Sequence, residues 1–366
     1  MVIDVHCHYT LTRRGASDGP RFSFEPAFEN GRRTLDSCVS PRILDSWPWR
    51  LMRRMMRIPV VLAPGDELDA EVERFYERHL LANGSIERYV LLAFDWYHDR
   101  AGRRPPLPRR RADRGSDIYT SNSLVRELCR RHPQRFLFGA SIHPYRENAV
   151  ECIDEVFAAG ACLLKWLPLH QNIDVRDPRT LAVLRRCAEL GLPILAHHGE
   201  EFTLTTQHPE HLPLAPLLDV LRALRREGRM PTVIIAHVST PVTPFGERRS
   251  HRLLTEALLG EFADAPLYAD ISALTAWGKV AWLRRVARRQ ELHPKLMFGT
   301  DFPVPVALPR LRGDLGRAYA RIRGLVSWPH QVAETCRHVG FNEIVFHRAG
   351  HVLANLDHAS TIGARA

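Results

Sequence analysis

The sequence predicts an α/β protein, a (β/α)8 TIM barrel with a long helical insertion after strand 1. Three observations carry this reading. Short strands, apolar on both faces, alternate with amphipathic helices through eight units, as in a parallel sheet covered by helices. Eight units in one chain favour a closed barrel over an open doubly wound sheet. No Gly-x-Gly-x-x-Gly follows the first strand, which argues against a dinucleotide-binding fold.

The first strand opens the chain and ends in Ile3-Asp4-Val5-His6-Cys7-His8. Residues i and i+2 of a strand face the same way, so His6 and His8 point together and Cys7 points away. A long connection follows, to about Glu87. It has a polar, glycine-containing part, then an Arg/Met/Trp-rich part over 47–58, then an amphipathic helix. Asp66 after Pro64-Gly65 is the expected N-cap, and Asn83-Gly84 the stop. A connection this long is usually functional. Residues 9–87 are therefore read as a cap within a single domain spanning 1–366.

From there the alternation is regular. Strands are expected at 89–94, 136–142, 162–167, 194–197, 233–237, 267–271 and 296–300. Helices are expected at 124–131, 150–159, 177–191, 214–226, 251–262 and 277–290, with more after Asp314 and Asn342. Pro133 stops the first of these, Gly160 closes the second, and Asp177-Pro178 opens the third as N-cap and first helical residue.

Composition narrows the class. The chain is 45% hydrophobic and 25% charged, ordinary for a globular protein. No run has the length of a membrane span, and no secretory leader is expected from the N-terminus. Seven scattered cysteines without a C-x-x-C point to reduced thiols and a cytoplasmic protein. The net charge of +10 is discounted as a nucleic-acid signal. The arginines are spread over helix faces, and the loop 100–114, where they concentrate, lacks interleaved aromatics. The expected partner is a small-molecule substrate, and a homo-oligomer is compatible with the sequence. Of 51 basic residues, only Lys165, Lys279 and Lys295 are lysines. A lysine inside an apolar strand asks for a chemical reason when arginine is the default cation.

In such barrels the chemistry sits at the C-terminal ends of the strands. The first strand ends in His6 and His8, the fourth in Lys165, the fifth in His197, the sixth in His237 and the eighth in Asp301. Each residue alone is a weak signal. Together, at one rim, they form a strong signal, and two imidazoles on one face at the end of the first strand are half of a metal site. Asp95 and His143 end the second and third strands and are candidate substrate contacts, as is Asp270 in the seventh. Arg13, Arg14 and Trp96 lie on rim loops. His198 is read as a loop residue behind the ligands, and Cys7 as core.

This arrangement closely resembles the amidohydrolase superfamily over essentially the whole barrel. The phrases Gly299-Thr300-Asp301-Phe302-Pro303 and Pro193-Ile194-Leu195-Ala196-His197, with the tail Ile344-Val345-Phe346 through Leu353-Ala354-Asn355-Leu356, resemble its amidohydrolase-2 branch. Many members of that branch hold one metal and lack a ligand lysine, so Lys165 brings this chain closer to the binuclear hydrolases. The resemblance implies that carbon dioxide carboxylates Lys165 to a carbamate bridging two divalent ions. Arginine cannot do this, because its guanidinium stays protonated. It also implies that His6, His8 and Asp301 bind one ion and His197 and His237 the other, with Asp301 and His237 catalytic. Nitrogen and oxygen ligands suit zinc first, then manganese, iron or cobalt. The implied mechanism is attack by metal-activated water, with Asp301 carrying its proton to the leaving group. The competing reading of Lys165 is a substrate-binding or carboxylate-paired cation.

The expected activity is hydrolysis of a small-molecule amide, cyclic amide, ester or lactone. The alternatives are a mononuclear metal-dependent decarboxylase of an aromatic or unsaturated acid, which the branch also contains, and a phosphoesterase.

Overall fold

The computed structural model describes residues 1–243, 246 and 248–356. Eight parallel strands run in chain order around the barrel: β1 (Ile3–His8), β2 (Arg88–Leu92), β3 (Phe136–Ala140), β4 (Leu163–Trp166), β5 (Ile194–Ala196), β6 (Val233–Ile235), β7 (Leu267–Asp270) and β8 (Leu296–Met297). The ring closes between β8 and β1. Val5 N donates to Phe298 O at 3.2 Å, Asp301 N to His6 O at 2.8 Å and His8 N to Phe302 O at 2.8 Å. Asp4 reinforces this seam by accepting from Thr300 N at 2.9 Å and Thr300 Oγ1 at 2.5 Å.

The outer layer consists of α1 (Asp66–Leu80), α2 (Asn122–Arg131), α3 (Ala149–Ala158), α4 (Pro178–Leu190), α5 (Ala215–Arg226), α6 (Arg249–Leu259), α7 (Val280–Arg288) and α8 (Trp328–Val339). The expected Asp177 cap is present: its side chain accepts from Arg179 N, and Gly191 ends α4 in the left-handed region. At α1 the expectation is corrected. Gly65 is the N-cap and Asp66 the first helical residue, so the acidic side chains of the first turn act on the helix dipole instead.

Two packed layers follow from strand alternation. Ile3, Val5, Val90, Leu137, Leu163, Leu195, Ile234 and Met297 fill the barrel interior, while Tyr89, Leu91, Phe138, Leu164, Ala196, Ile235 and Ala269 face the helices. Phe75 of α1, Phe302 after β8 and Trp328 of α8 close the outer ring, with Phe75 stacked on Phe302 at 5.6 Å.

The insertion holds helices, as expected, at Pro41–Leu44 and Trp47–Met56 besides α1. It also contains strands that its weak hydrophobic pattern does not announce. Arg13–Gly15 and Leu35–Val39 pair antiparallel, and Ile118–Thr120 from the β2–α2 connection adds a third strand. This small sheet ties the cap to the barrel rim.

The seven cysteines are free. Among the described residues, no helix is long and apolar enough to cross a membrane.

A buried ion pair pins the rim beside the cap. Arg146 donates from Nε and Nη2 to Asp95 at 2.7 and 2.6 Å, and Asp95 Oδ2 also accepts from His143 N at 2.7 Å. Removing one member of a buried pair strands the other's charge. Arg146→Ala is therefore expected to cost about 3–5 kcal/mol of unfolding free energy, checked by urea denaturation.

Candidate metal centre

The six residues read from the strand ends converge at the C-terminal mouth of the barrel. Lys165 and His197 lie in phase with the interior side chains Leu163 and Leu195, so simple alternation delivers them. The other positions need help from the backbone. A bulge between Asp4 and Cys7 shifts the register of β1 against β2. It lets Val5 and His6 both face inward while Cys7 joins the outer layer. After β6, Ala236 is interior, and strict alternation would turn His237 away. His237, Val238 and Ser239 instead take φ of 56°, 50° and 50°, a left-handed turn that re-aims the ring into the mouth. Three successive non-glycine residues in this region store strain, a mark of functional segments. Asp301 has φ 63°. Gly299 keeps this approach close, because a Cβ at that position would lie 3.1 Å from His6 Cβ and 3.2 Å from Ser272 Cβ, a tight contact that would push them apart by a few tenths of an ångström.

His6 Nε2 and His8 Nε2 each lie 3.3 Å from Asp301 Oδ1. Tetrahedral ligands with bonds of about 2.0–2.1 Å sit about 3.3 Å apart, so this trio matches the spacing of a zinc-sized ion. The ligand atoms of His6, His8 and Asp301 all lie within 4.8 Å of one another. His237 stacks on His6 with ring centres 5.1 Å apart, and His197 meets His237 edge-on at 4.9 Å. Lys165 is 2% exposed, and its Nζ lies 3.0 Å from His6 Nε2.

The protonation states suit ligation. Burial pushes His6 and His237 well below the ordinary histidine range and His197 below it, so the imidazoles are neutral. Burial also lowers Lys165 to about 8, against the pull of Asp301, Asp270 and Glu201. Burial alone would raise the Asp301 carboxyl, but His6, His8 and Lys165 hold it down at about 2.

Asp270 is the residue that strand-end reading undervalued. Its Oδ2 lies 2.8 Å from His6 Nδ1, its Oδ1 accepts from His237 N at 2.8 Å and from Ser272 N at 3.0 Å, and Ser272 Oγ bonds it too. With Nδ1–H donating to Asp270, His6 presents the Nε2 lone pair to the centre. Ser272 does the same for His237, whose Nδ1 lies 3.0 Å from Ser272 O. Glu201 was also missed; its Oε2 approaches His197 Nδ1 at 3.4 Å. A glutamate in a polar loop carries no sequence signal for this.

Other candidates are corrected. Asp95 is committed to Arg146, and His143 spends both ring nitrogens locally, Nε2 on Gln171 O at 2.7 Å and Nδ1 on Tyr145 N at 3.0 Å. Arg14 pairs with Glu73 at 2.5 Å, and Arg13 lies on the cap's edge strand. His198 is buried. Trp96 lines a 480 Å³ cavity with Arg21, Glu25, Arg104, Tyr119 and Arg146. None of the six strand-end residues lines that cavity.

A family model described as amidohydrolase, Amidohydro_2, matches residues 3–315. The chain belongs to the amidohydrolase family. Its members are enzymes and generally metal-dependent. No curated protein matches the chain significantly. Among solved structures, an uncharacterized TIM-barrel protein, Bb4693, from Bordetella bronchiseptica is 16% identical, with TM-score 0.52 over 100% of this chain and 99% of that one. The 5-carboxyvanillate decarboxylase LigW from Sphingomonas paucimobilis is 13% identical, with TM-score 0.49 over 96% and 99%. A probable 2-pyrone-4,6-dicarboxylic acid hydrolase from Acinetobacter baumannii, with citric acid bound, is 11% identical, with TM-score 0.46 over 95% and 99%. At 16% identity the likeness to Bb4693 is one of fold.

If Asp270 orients His6, Asp270→Asn should leave the fold intact and weaken metal binding about 10–100-fold. Chelator competition on the purified variant measures this.

Proposed function

We propose that the chain, as one unit over 1–366 with 9–87 as its cap, is a metal-dependent hydrolase of a small-molecule amide, cyclic amide, ester or lactone. The observation that carries this reading is Lys165, buried with its Nζ 3.0 Å from His6 Nε2 amid the histidines. His6, His8 and Asp301 would hold one ion, and His197 and His237 a second, with a carboxylated Lys165 shared between them. Zinc is the first choice for nitrogen and oxygen donors. When bound, such ions acidify water and polarise a substrate carbonyl.

The protein's own groups account for the rest. Asp301 is ionised at neutral pH and sits at the mouth beside His8, placed to take a proton from water and return it to the leaving group. Asp270 and Ser272 fix the rings of His6 and His237, so neither ring must reorganise during turnover. Lys165, brought down to about 8, has an appreciable neutral fraction near physiological pH, and the neutral amine is the form that adds to carbon dioxide.

A second reading is a mononuclear decarboxylase. His197 belongs to no group of three close ligand atoms among the described residues and leans toward Glu201 instead. In that reading Lys165 stays an ammonium and holds the substrate's carboxylate. The ions held at the barrel mouth decide between the two: two per chain lost when His6, His8, His197 and His237 are all replaced by alanine support the hydrolase, and one the decarboxylase.

Lys165→Ala and Lys165→Arg should each lose the second ion and most turnover, and short carboxylic acids should partly rescue Lys165→Ala. Retained activity in Lys165→Arg would sink the carbamate. Asp301→Asn should keep the fold, seen by circular dichroism, and lower kcat by at least about 100-fold, the scale of acid–base contributions. The pH sign follows from the lysine. In metal-free protein at fixed dissolved carbon dioxide, carboxylation should speed up from pH 7 to 9 as the ammonium near 8 deprotonates, followed by the rate of reactivation. A flat profile counts against the carbamate.

A further inference from the structure

The loop between β5 and α5 contains a short turn, Pro209–His211, that closes with His211 N donating to His208 O at 3.0 Å. It places His208, Glu210 and His211 so that one ring nitrogen of each histidine and one oxygen of Glu210 lie within 4.8 Å of one another. The turn is anchored from outside. Gln207 N and His208 N donate to Leu169 O at 3.2 and 2.9 Å, and the Gln207 amide exchanges bonds of 2.9 and 2.6 Å with the Gly115 backbone. None of these residues belongs to the barrel-mouth centre.

One feature points to a ligand. His211 is 7% exposed, and its Nε2 is buried with no hydrogen-bond partner. A buried nitrogen left in this state costs free energy. His208 lies beside it: its Nε2 is 3.0 Å from the Tyr97 hydroxyl, and its Nδ1 is 2.9 Å from Glu210 Oε1. Without an ion, the Tyr97 hydroxyl donates to Nε2 and Nδ1–H donates to Glu210. An ion would replace the Nδ1 proton, which leaves to water, and Tyr97 would then accept from Nε2–H. An oxygen acceptor behind a ligating imidazole is the usual support of a metal-bound histidine.

We propose that His208, Glu210 and His211 form a second, peripheral metal site, which takes zinc through two imidazoles and one carboxylate and leaves a fourth position to water. Three protein ligands with one open position is an established zinc geometry. The site would clamp the β5–α5 loop, the same loop that brings Glu201 to His197.

The test is zinc content of the full-length protein after equilibration in a zinc buffer and desalting, read by mass spectrometry. Wild type should hold one ion more than Glu210→Gln and one more than His211→Ala. The Glu210 side chain is 55% exposed, so Glu210→Gln should fold even if His211→Ala does not. Tyr97→Phe should weaken that ion about 10-fold. His6→Ala should lose ions from the barrel mouth and keep the peripheral one. An unchanged ion count in Glu210→Gln overturns the site, whatever His211→Ala does.

Discussion

One carboxylate organises the mouth of this barrel. Asp270, at the end of β7, reaches the ring of His6 on β1, the backbone of His237 after β6 and the backbone and hydroxyl of Ser272. A buried carboxylate needs several donors to stay in place, and here those donors are the groups that must be positioned. Satisfying Asp270 and orienting the two histidines are one physical event. The ring that Asp270 holds then meets His8, Asp301 and Lys165 on its other nitrogen.

The backbone pays for this arrangement in local irregularity. Two of the positions follow strand alternation with interior leucines. His6 needs a bulge, and His237 needs three residues in the left-handed region. Gly299 leaves the space into which His6 and Ser272 close. The regular part of the barrel thus supplies a frame, and the departures from regularity aim the chemistry.

Much of this was legible in the sequence. Apolar strands with polar last residues announce themselves, because burial on both faces leaves little room for histidine, lysine or aspartate unless they do something. That logic picked out His6, His8, Lys165, His197, His237 and Asp301, which the fold brings together at the mouth. It failed where a residue's role depends on contacts across strands far apart in sequence. Asp270 looked like any rim aspartate, Asp95 and His143 looked like substrate contacts but are spent on Arg146 and on local backbone, and Glu201 sits in a loop without periodicity. The cap's three-stranded sheet was hidden for a related reason. Its strands are short, and one of them lies about 80 residues beyond the other two, so no local pattern records the pairing.

The seam between β1 and β8 has a consequence for how the protein comes into being. His6 and His8 belong to the first strand, while Asp301 follows the last, and the backbone bond from Asp301 N to His6 O joins them. A ribosome-bound chain presents the two histidines almost at once but lacks their carboxylate partner until some three hundred residues have followed. The trio is therefore a late marker in biosynthesis. An ion held by all three groups would report that the ring has shut, and a chain ending before Asp301 would offer only two of the three.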